Sequence, residues 1–265
     1  MTQNISNFSA TRQRTKRKEI FNGRSKILFE GPDSGTLVIH FKDSLDNATE
    51  DNAQLNAHGV INNRFSELMM QRLTQIGIET HLIRRLNMRE QLVRAADPLP
   101  FRFRVHNIAV DSLVERLDLE ANLVLSEPII ELYVRNNAGQ EHVVSPQHVY
   151  SLGWSQEEEL EPLFNSIKRM NDFLLGQFSA LNLRLSNYSL EFGRILSQDF
   201  FENTKLILID AFSMDSVGIM DNKTGERLDS SIGSSTNWQG CKEVARRFGF
   251  VEEETESDSD QKEAA

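Results

Sequence analysis

Two apolar runs separated by a polar connector constrain this chain more than any other stretch: LSNYSLEFG (185–193) and TKLILIDAFSMDSVGIMD (204–221). Both are rich in Leu, Ile or aromatic residues, and the connector holds Ser197, Gln198, Asp199 and Asn203. The pattern predicts two strands joined by a loop. Each run carries one carboxylate at or near its end, Glu191 and Asp210. Strands laid side by side would bring the two together, and two hard oxygen ligands with a nucleotide phosphate make a Mg²⁺ site. On spacing alone, two edge carboxylates facing water satisfy the same pattern.

A chain of 265 residues can bury a substantial core, as one large domain or two small ones. No apolar run approaches the ~20 residues of a membrane span, and the N-terminus lacks the apolar stretch of a secretory signal. Cys241 is the sole cysteine, which excludes an intrachain disulfide, and no Cys/His set has zinc spacing. These features fit a cytoplasmic protein with no membrane partner. Of the net charge of −10, six units lie in residues 251–265, an acidic stretch expected to stay disordered because it has too little apolar surface to bury. TRQRTKRKE (11–19) is a basic run that reads as a solvated tail. The mildly acidic body between them argues against a nucleic-acid partner. A homo-oligomer is left open.

Ile27–Phe29 and Leu37–Phe41 read as a strand pair around the turn GPDSG (31–35), and the polar residues 42–57 as a loop. Ile61, Phe65, Leu68, Met69, Leu73 and Ile76 fall at helical spacing, with Gly77 as the residue after the helix. Thr80–Leu86 and Gln91–Ala96 predict strands, and the break Asp97-Pro98-Leu99-Pro100 marks a boundary between lobes. Phe101, Phe103 and Val105 alternate with Arg102, Arg104 and His106, a half-buried strand with a basic face. Ile129–Arg135 predicts a further strand. Ser155 and Glu158 have the spacing of a capping box, opening a helix with a stripe of Leu160, Leu163, Phe164, Ile167, Leu174, Phe178 and Leu181. Pro162 should bend that helix or mark its true start.

SLEFG followed by LxxDxxSxDxxxxxD resembles the metal-and-nucleotide segment of SAICAR synthetases, ATP-dependent ligases of purine biosynthesis. LFEG (28–31), HGVINNRF (58–65), GIETH (77–81), VHNIAVDSLVERL (105–117) and ARRFG (245–249) agree in the same order, so the resemblance runs from Lys26 to Phe250. It implies an α+β, two-lobed, ATP-grasp-like fold with antiparallel sheets and a cleft between the lobes. The expected divisions are a disordered basic tail (1–25), an N-terminal lobe (26–97), a C-terminal lobe (98–250) and the acidic tail (251–265). The activity implied joins aspartate to carboxyaminoimidazole ribotide, with Mg and ATP as cofactors and a small, nucleotide-like substrate as partner.

Carried over residue by residue, the resemblance implies Glu191 and Asp210 as metal ligands, Gly31 and Asn63 at the nucleotide, and Asn107 and Ser112 at the substrate. Arg104, on the same strand as the family's arginine, stands in for it. No catalytic residue is assigned. The chain also departs from the family pattern. Pro32 and Asp33 stand where a Gly-Lys-x-Lys loop would embrace phosphates, His58 and Ser189 replace lysines, and Asp111 replaces a glycine. Gly218 replaces an arginine, and LDSSIGSS (228–235) lacks two basic residues. Phosphoryl transfer depends on charge stabilisation. The losses therefore predict reduced, altered or absent activity, with a non-catalytic binding or regulatory protein on the same scaffold as the alternative.

Overall fold

A computed structural model describes residues 17–43, 58–195, 205–209, 212–229, 231–232 and 235–250. The basic run before Arg17, most of the loop expected over 42–57, the connector 196–204, Asp210 and the acidic stretch 251–265 lie outside the described residues. The fold is α+β with antiparallel sheets.

The first sheet holds β1 (Glu19–Asn22), β2 (Lys26–Glu30), β3 (Thr36–Phe41), β4 (Leu82–Arg85) and β5 (Glu90–Arg94), in the order β1-β2-β3-β5-β4. β1 falls inside the stretch expected as a tail. Its backbone pairs with β2 although its four side chains are exposed, a local gain that no apolar pattern announces. Between β3 and β4 runs α1 (His58–Gln75), closed by Gly77 at φ +82°, the left-handed conformation its lack of a Cβ permits. Gly59 is needed at the start of α1, where a Cβ would lie 2.5 Å from the Phe41 carbonyl oxygen.

The chain then passes through β6 (Asp97–Pro98) into β7 (Arg102–Ile108), α2 (Ser112–Leu117), β8 (Val124–Arg135), β9 (Glu141–Val144), α3 (Pro146–Ser151) and α4 (Glu157–Ser179). It returns through β10 (Leu183–Leu190), β11 (Phe192–Ile195), β12 (Lys205–Leu208) and β13 (Val217–Asp221). It ends with the short pair β14 (Ser231–Ile232) and β15 (Ser235–Thr236), then α5 (Trp238–Arg247). The second sheet has the order β13-β10-β7-β8-β9, and β12-β11-β6 forms a third.

Helix α4 begins at Glu157 with Gln156 as its unassisted N-cap, not through the expected Ser155–Glu158 pair. Ser155 instead donates to Glu159 Oε2 at 2.6 Å, and Glu159 also accepts from Arg194. The reciprocal capping contact belongs to α3, where the Ser145 N–H donates to His148 Nδ1 at 3.0 Å. Pro162 neither starts nor stops α4, which runs through it.

The main core joins α1, α4 and α5 to the second sheet. Phe65 of α1 packs edge-on against Phe178 of α4 and against Phe248. Phe103 of β7 meets Phe101, Phe164 and Phe192. The first sheet keeps only a small apolar cluster of its own, Ile39, Phe41 and Val93 with Leu28 and Leu37 against them. No helix among the described residues is long and apolar enough to cross a membrane.

Candidate active-site cleft

Alternation along β7 and β10 builds one wall of a polar cleft of about 260 Å³. In register, Arg104 of β7 faces Ser189 of β10 and His106 faces Asn187, and all four side chains line the cleft. Gly218 of β13, paired with Asn187, continues that wall, and the turn Met214–Ser216, Arg227, Asp229, Val110, Asp111 and Ser112 complete the lining.

Among the described residues, each cleft-lining arginine and the cleft histidine sit against a carboxylate. Arg104 pairs with Glu141 at 2.9 Å, and Glu141 also takes Arg102 and Arg135. His106 Nε2 lies 3.2 Å from Glu131. Burial alone would raise the Glu131 pKa, but hydrogen bonds from His106, Tyr133 and Arg116 outweigh it and hold it at about 2. Arg227 bridges Asp111 at 2.5 Å and Asp229 at 2.6 Å. Burial opposes the charge on Arg227, yet the two carboxylates hold its pKa above the ordinary arginine value. Burial raises the Asp229 carboxyl despite the same contacts.

Beneath the cleft, α1 pins the Ser213–Ser216 turn. Asn62 accepts from the Met214 N–H at 3.0 Å and donates to Asp215 Oδ2 at 3.0 Å, while His58 Nε2 sits 3.3 Å from Asp215 Oδ1. A buried imidazole thus stands behind a cleft carboxylate. Nearby Cys241 is buried, which pushes its thiol up to about 12 and leaves it protonated and unreactive at neutral pH.

Of the residues picked out in the sequence, Arg104 and Ser112 line the cleft together. Asn107 does not. It lies an odd number of residues from Arg104 and so projects from the other face of β7, where it exchanges two hydrogen bonds with Asn171 of α4, at 3.0 and 2.9 Å. Tyr188 donates to the same Asn171 oxygen at 3.2 Å. Asn63 is fully buried and ties α1 to the β4–β5 hairpin through the Asn87 carbonyl at 2.8 Å. Glu191 lies at the start of β11, 42% exposed, with Arg102 Nη1 3.9 Å away. The Ile209 N–H donates to its carbonyl at 2.9 Å. Asp210 itself lies outside the described residues.

Gly31 sits where β2 turns toward β3. A Cβ there would lie 2.2 Å from Thr36 Oγ1 and 2.6 Å from the Thr36 carbonyl, so hairpin closure alone demands glycine. Within the turn, Gly31 N–H bonds to Thr36 O at 3.0 Å, Asp33 N–H to Thr36 Oγ1 at 3.2 Å and Thr36 N–H to Asp33 O at 3.1 Å, while Pro32 has no N–H. Asp33 adds negative charge, and the turn carries no lysine or arginine. Nor do three or more His, Cys, Asp or Glu side chains converge on a metal site among the described residues.

Sequence reasoning missed Arg227, Glu131, Glu141 and Asn171. Only the short spacing of Arg227 and Asp229, two residues apart in the segment between β13 and β14, was a local signal; the other partners lie far apart along the chain.

The SAICAR synthetase family profile matches residues 19–247. A phosphoribosylaminoimidazole-succinocarboxamide synthase of Novosphingobium aromaticivorans is 42% identical over 247 residues, covering 90% of this chain and 92% of the relative. The enzyme of the same name from Hyphomonas neptunium is 40% identical over 248 residues, covering 91% and 94%. Among solved structures, the synthase of that name from Ehrlichia chaffeensis superposes with a TM-score of 0.79 at 30% identity, covering 89% of this chain and all of that one. A SAICAR synthetase solved in complex with ADP gives 0.77 at 25% identity, covering 88% and 98%.

Proposed function

The chain belongs to the SAICAR synthetase family of purine biosynthesis, and we propose that it carries a weakened form of the family reaction. That reaction is the ATP-dependent ligation of aspartate to carboxyaminoimidazole ribotide in the cytoplasm. Relatives of high coverage bear the synthase name, and one neighbour was solved with ADP, which supports a nucleotide-dependent ligase as the starting point. Glu191 and Asp210 would be the pair facing Mg. A bound Mg·ATP would supply an activated phosphoryl group.

The observation that carries the weakening is the 31–36 turn, where the Gly31, Asp33 and Thr36 N–H groups bond internally, Pro32 has none, and the one charged residue is the acid Asp33. The cleft cations are likewise already neutralised by carboxylates, so a phosphate must displace a partner before it gains charge stabilisation. The polar cleft is nonetheless fully formed, which favours ligand binding without turnover as the second reading.

Thermal unfolding with and without Mg·ATP tests the proposal. A ligand of the folded state adds RT ln(1 + [L]/Kd), about 2.7 kcal/mol at a hundredfold excess. Millimolar Mg·ATP is expected to leave the Tm nearly unchanged. A Mg-dependent rise that vanishes in Glu191→Gln or Asp210→Asn overturns the weakened site and restores full ligase function. ATP binding without ADP release in the presence of aspartate and the ribotide points to an altered reaction.

A further inference from the structure

We propose that Asp111 is a specificity-determining residue that neutralises Arg227 at one end of the cleft, so that a ribosyl ligand gains no affinity there from carrying a phosphate. The inference rests on the preceding reading of the cleft as a ribotide-type ligand site. It starts from backbone geometry: Asp111 has φ +49° and ψ −132°, a conformation that disfavours residues with a Cβ. Nothing in the local chain demands a carboxylate there, since the Asp111 side chain makes no capping bond to α2.

What the side chain does instead is reach Arg227, 116 residues away. Asp111 Oδ1 accepts from Nη1 at 2.5 Å and Oδ2 from Nη2 at 3.3 Å, the two-point geometry with which a guanidinium takes a phosphate. The remaining side of Arg227 is held by Asp229, which accepts from Nη2 at 2.6 Å and from Nε at 3.2 Å. One guanidinium therefore faces two carboxylates, and among the described residues this end of the cleft has no unpaired positive charge to offer. The other wall does not compensate, because Arg104 and His106 are engaged by Glu141 and Glu131.

Asp229 adds a second pointer to the ligand. It is 4% exposed, lines the cleft, and its Oδ1 is buried without a hydrogen-bond partner. Such an acceptor matches a hydroxyl donor and repels a phosphate oxygen. A sugar carrying free hydroxyls satisfies it; a phosphate dianion does not.

The probes are 5-aminoimidazole-4-carboxamide riboside and its 5′-monophosphate, titrated by calorimetry into the full-length protein. The native chain is expected to bind the riboside at least as tightly as the monophosphate. D111G relieves the backbone and frees Arg227, and should tighten the monophosphate at least tenfold while leaving the riboside within twofold. D111N, which keeps the side chain and removes its charge, should give an intermediate gain. R227Q added to D111G should abolish the gain; if that double variant does not fold, the D111N titration decides. A tenfold preference of the native chain for the monophosphate, or no gain in D111G and D111N, overturns the inference while leaving the ligase reading standing. Failure of both probes to bind both the native chain and D111G overturns the inference and removes the ribotide ligand class with it.

Discussion

The Gly31–Thr36 turn and the cleft lined by β7 both limit what they offer an anion, and they do so in different ways. The turn does so locally: three of its N–H groups close its own hairpin, and its one charge, Asp33, is negative. The cleft keeps cations and cancels each with a carboxylate from a distant segment, Arg227 with Asp111 and Arg104 with Glu141. A turn with spent donors has to be rebuilt before it can hold a phosphate. A paired cation needs only its partner removed. The second sheet, anchored to the main core, is thus the region where a single substitution can free a cation.

The two regions also differ in what supports them, and this difference can be broken by mutation. Phe103, fully buried beneath the cleft wall and touching three aromatic rings, should carry the largest effect. Phe103→Ala is expected to cost about 3–5 kcal/mol in urea unfolding. A loss under about 1 kcal/mol would mean the wall does not depend on that core. In the turn, Gly31→Ala drives a Cβ against the Thr36 backbone and should cost about 2–3 kcal/mol by the same assay. A neutral result would show that the hairpin can open, and with it the turn's donors.

The junction between the first and third sheets adds a pH dependence. His81 is buried between them, its N–H on the Leu208 carbonyl at 2.8 Å. Burial, then Lys26 and Arg94, lower its pKa from 6.5 to about 3. The unfolded chain binds that proton below pH 6.5 and the folded chain does not. The stability is therefore intact above pH 6.5 and drains away as pH falls toward 3. Between pH 7 and 5 this amounts to about 2 kcal/mol, and His81→Asn should flatten that part of the profile. An unchanged slope in the variant would assign acid lability elsewhere.

The smallest effect belongs to the helix-facing side of β7. Asn107→Ala strands Asn171 and should cost about 1–2 kcal/mol, without changing riboside affinity. A selective loss of affinity at unchanged stability would return Asn107 to the ligand.

Much of this architecture was readable from residue order. The alternation of Phe101, Phe103 and Val105 with arginines, the helical stripe of α1 with its closing Gly77, and the apolar runs around Glu191 all depend on contacts within a few residues. The start of α4 was misread because Ser155 found a partner in Glu159 that competes with a cap. β1 was passed over because its stabilisation is backbone pairing with no buried face.

Local periodicity by itself determined which segments became strands and helices and which face of each turned inward, since the 2.0 and 3.6 repeats are properties of the chain. It also set the spent turn at Gly31, because every group involved lies within six residues. Tertiary structure alone decided the state of the cleft. Whether Arg227 is a free cation depends on Asp111, 116 positions earlier, and whether Arg104 is free depends on Glu141, two strands away. Coulomb interactions act over a few ångströms in space without regard to separation along the chain. The sign of a side chain is therefore written in the sequence, but the net charge a ligand meets is set only when the sheet brings its partner alongside.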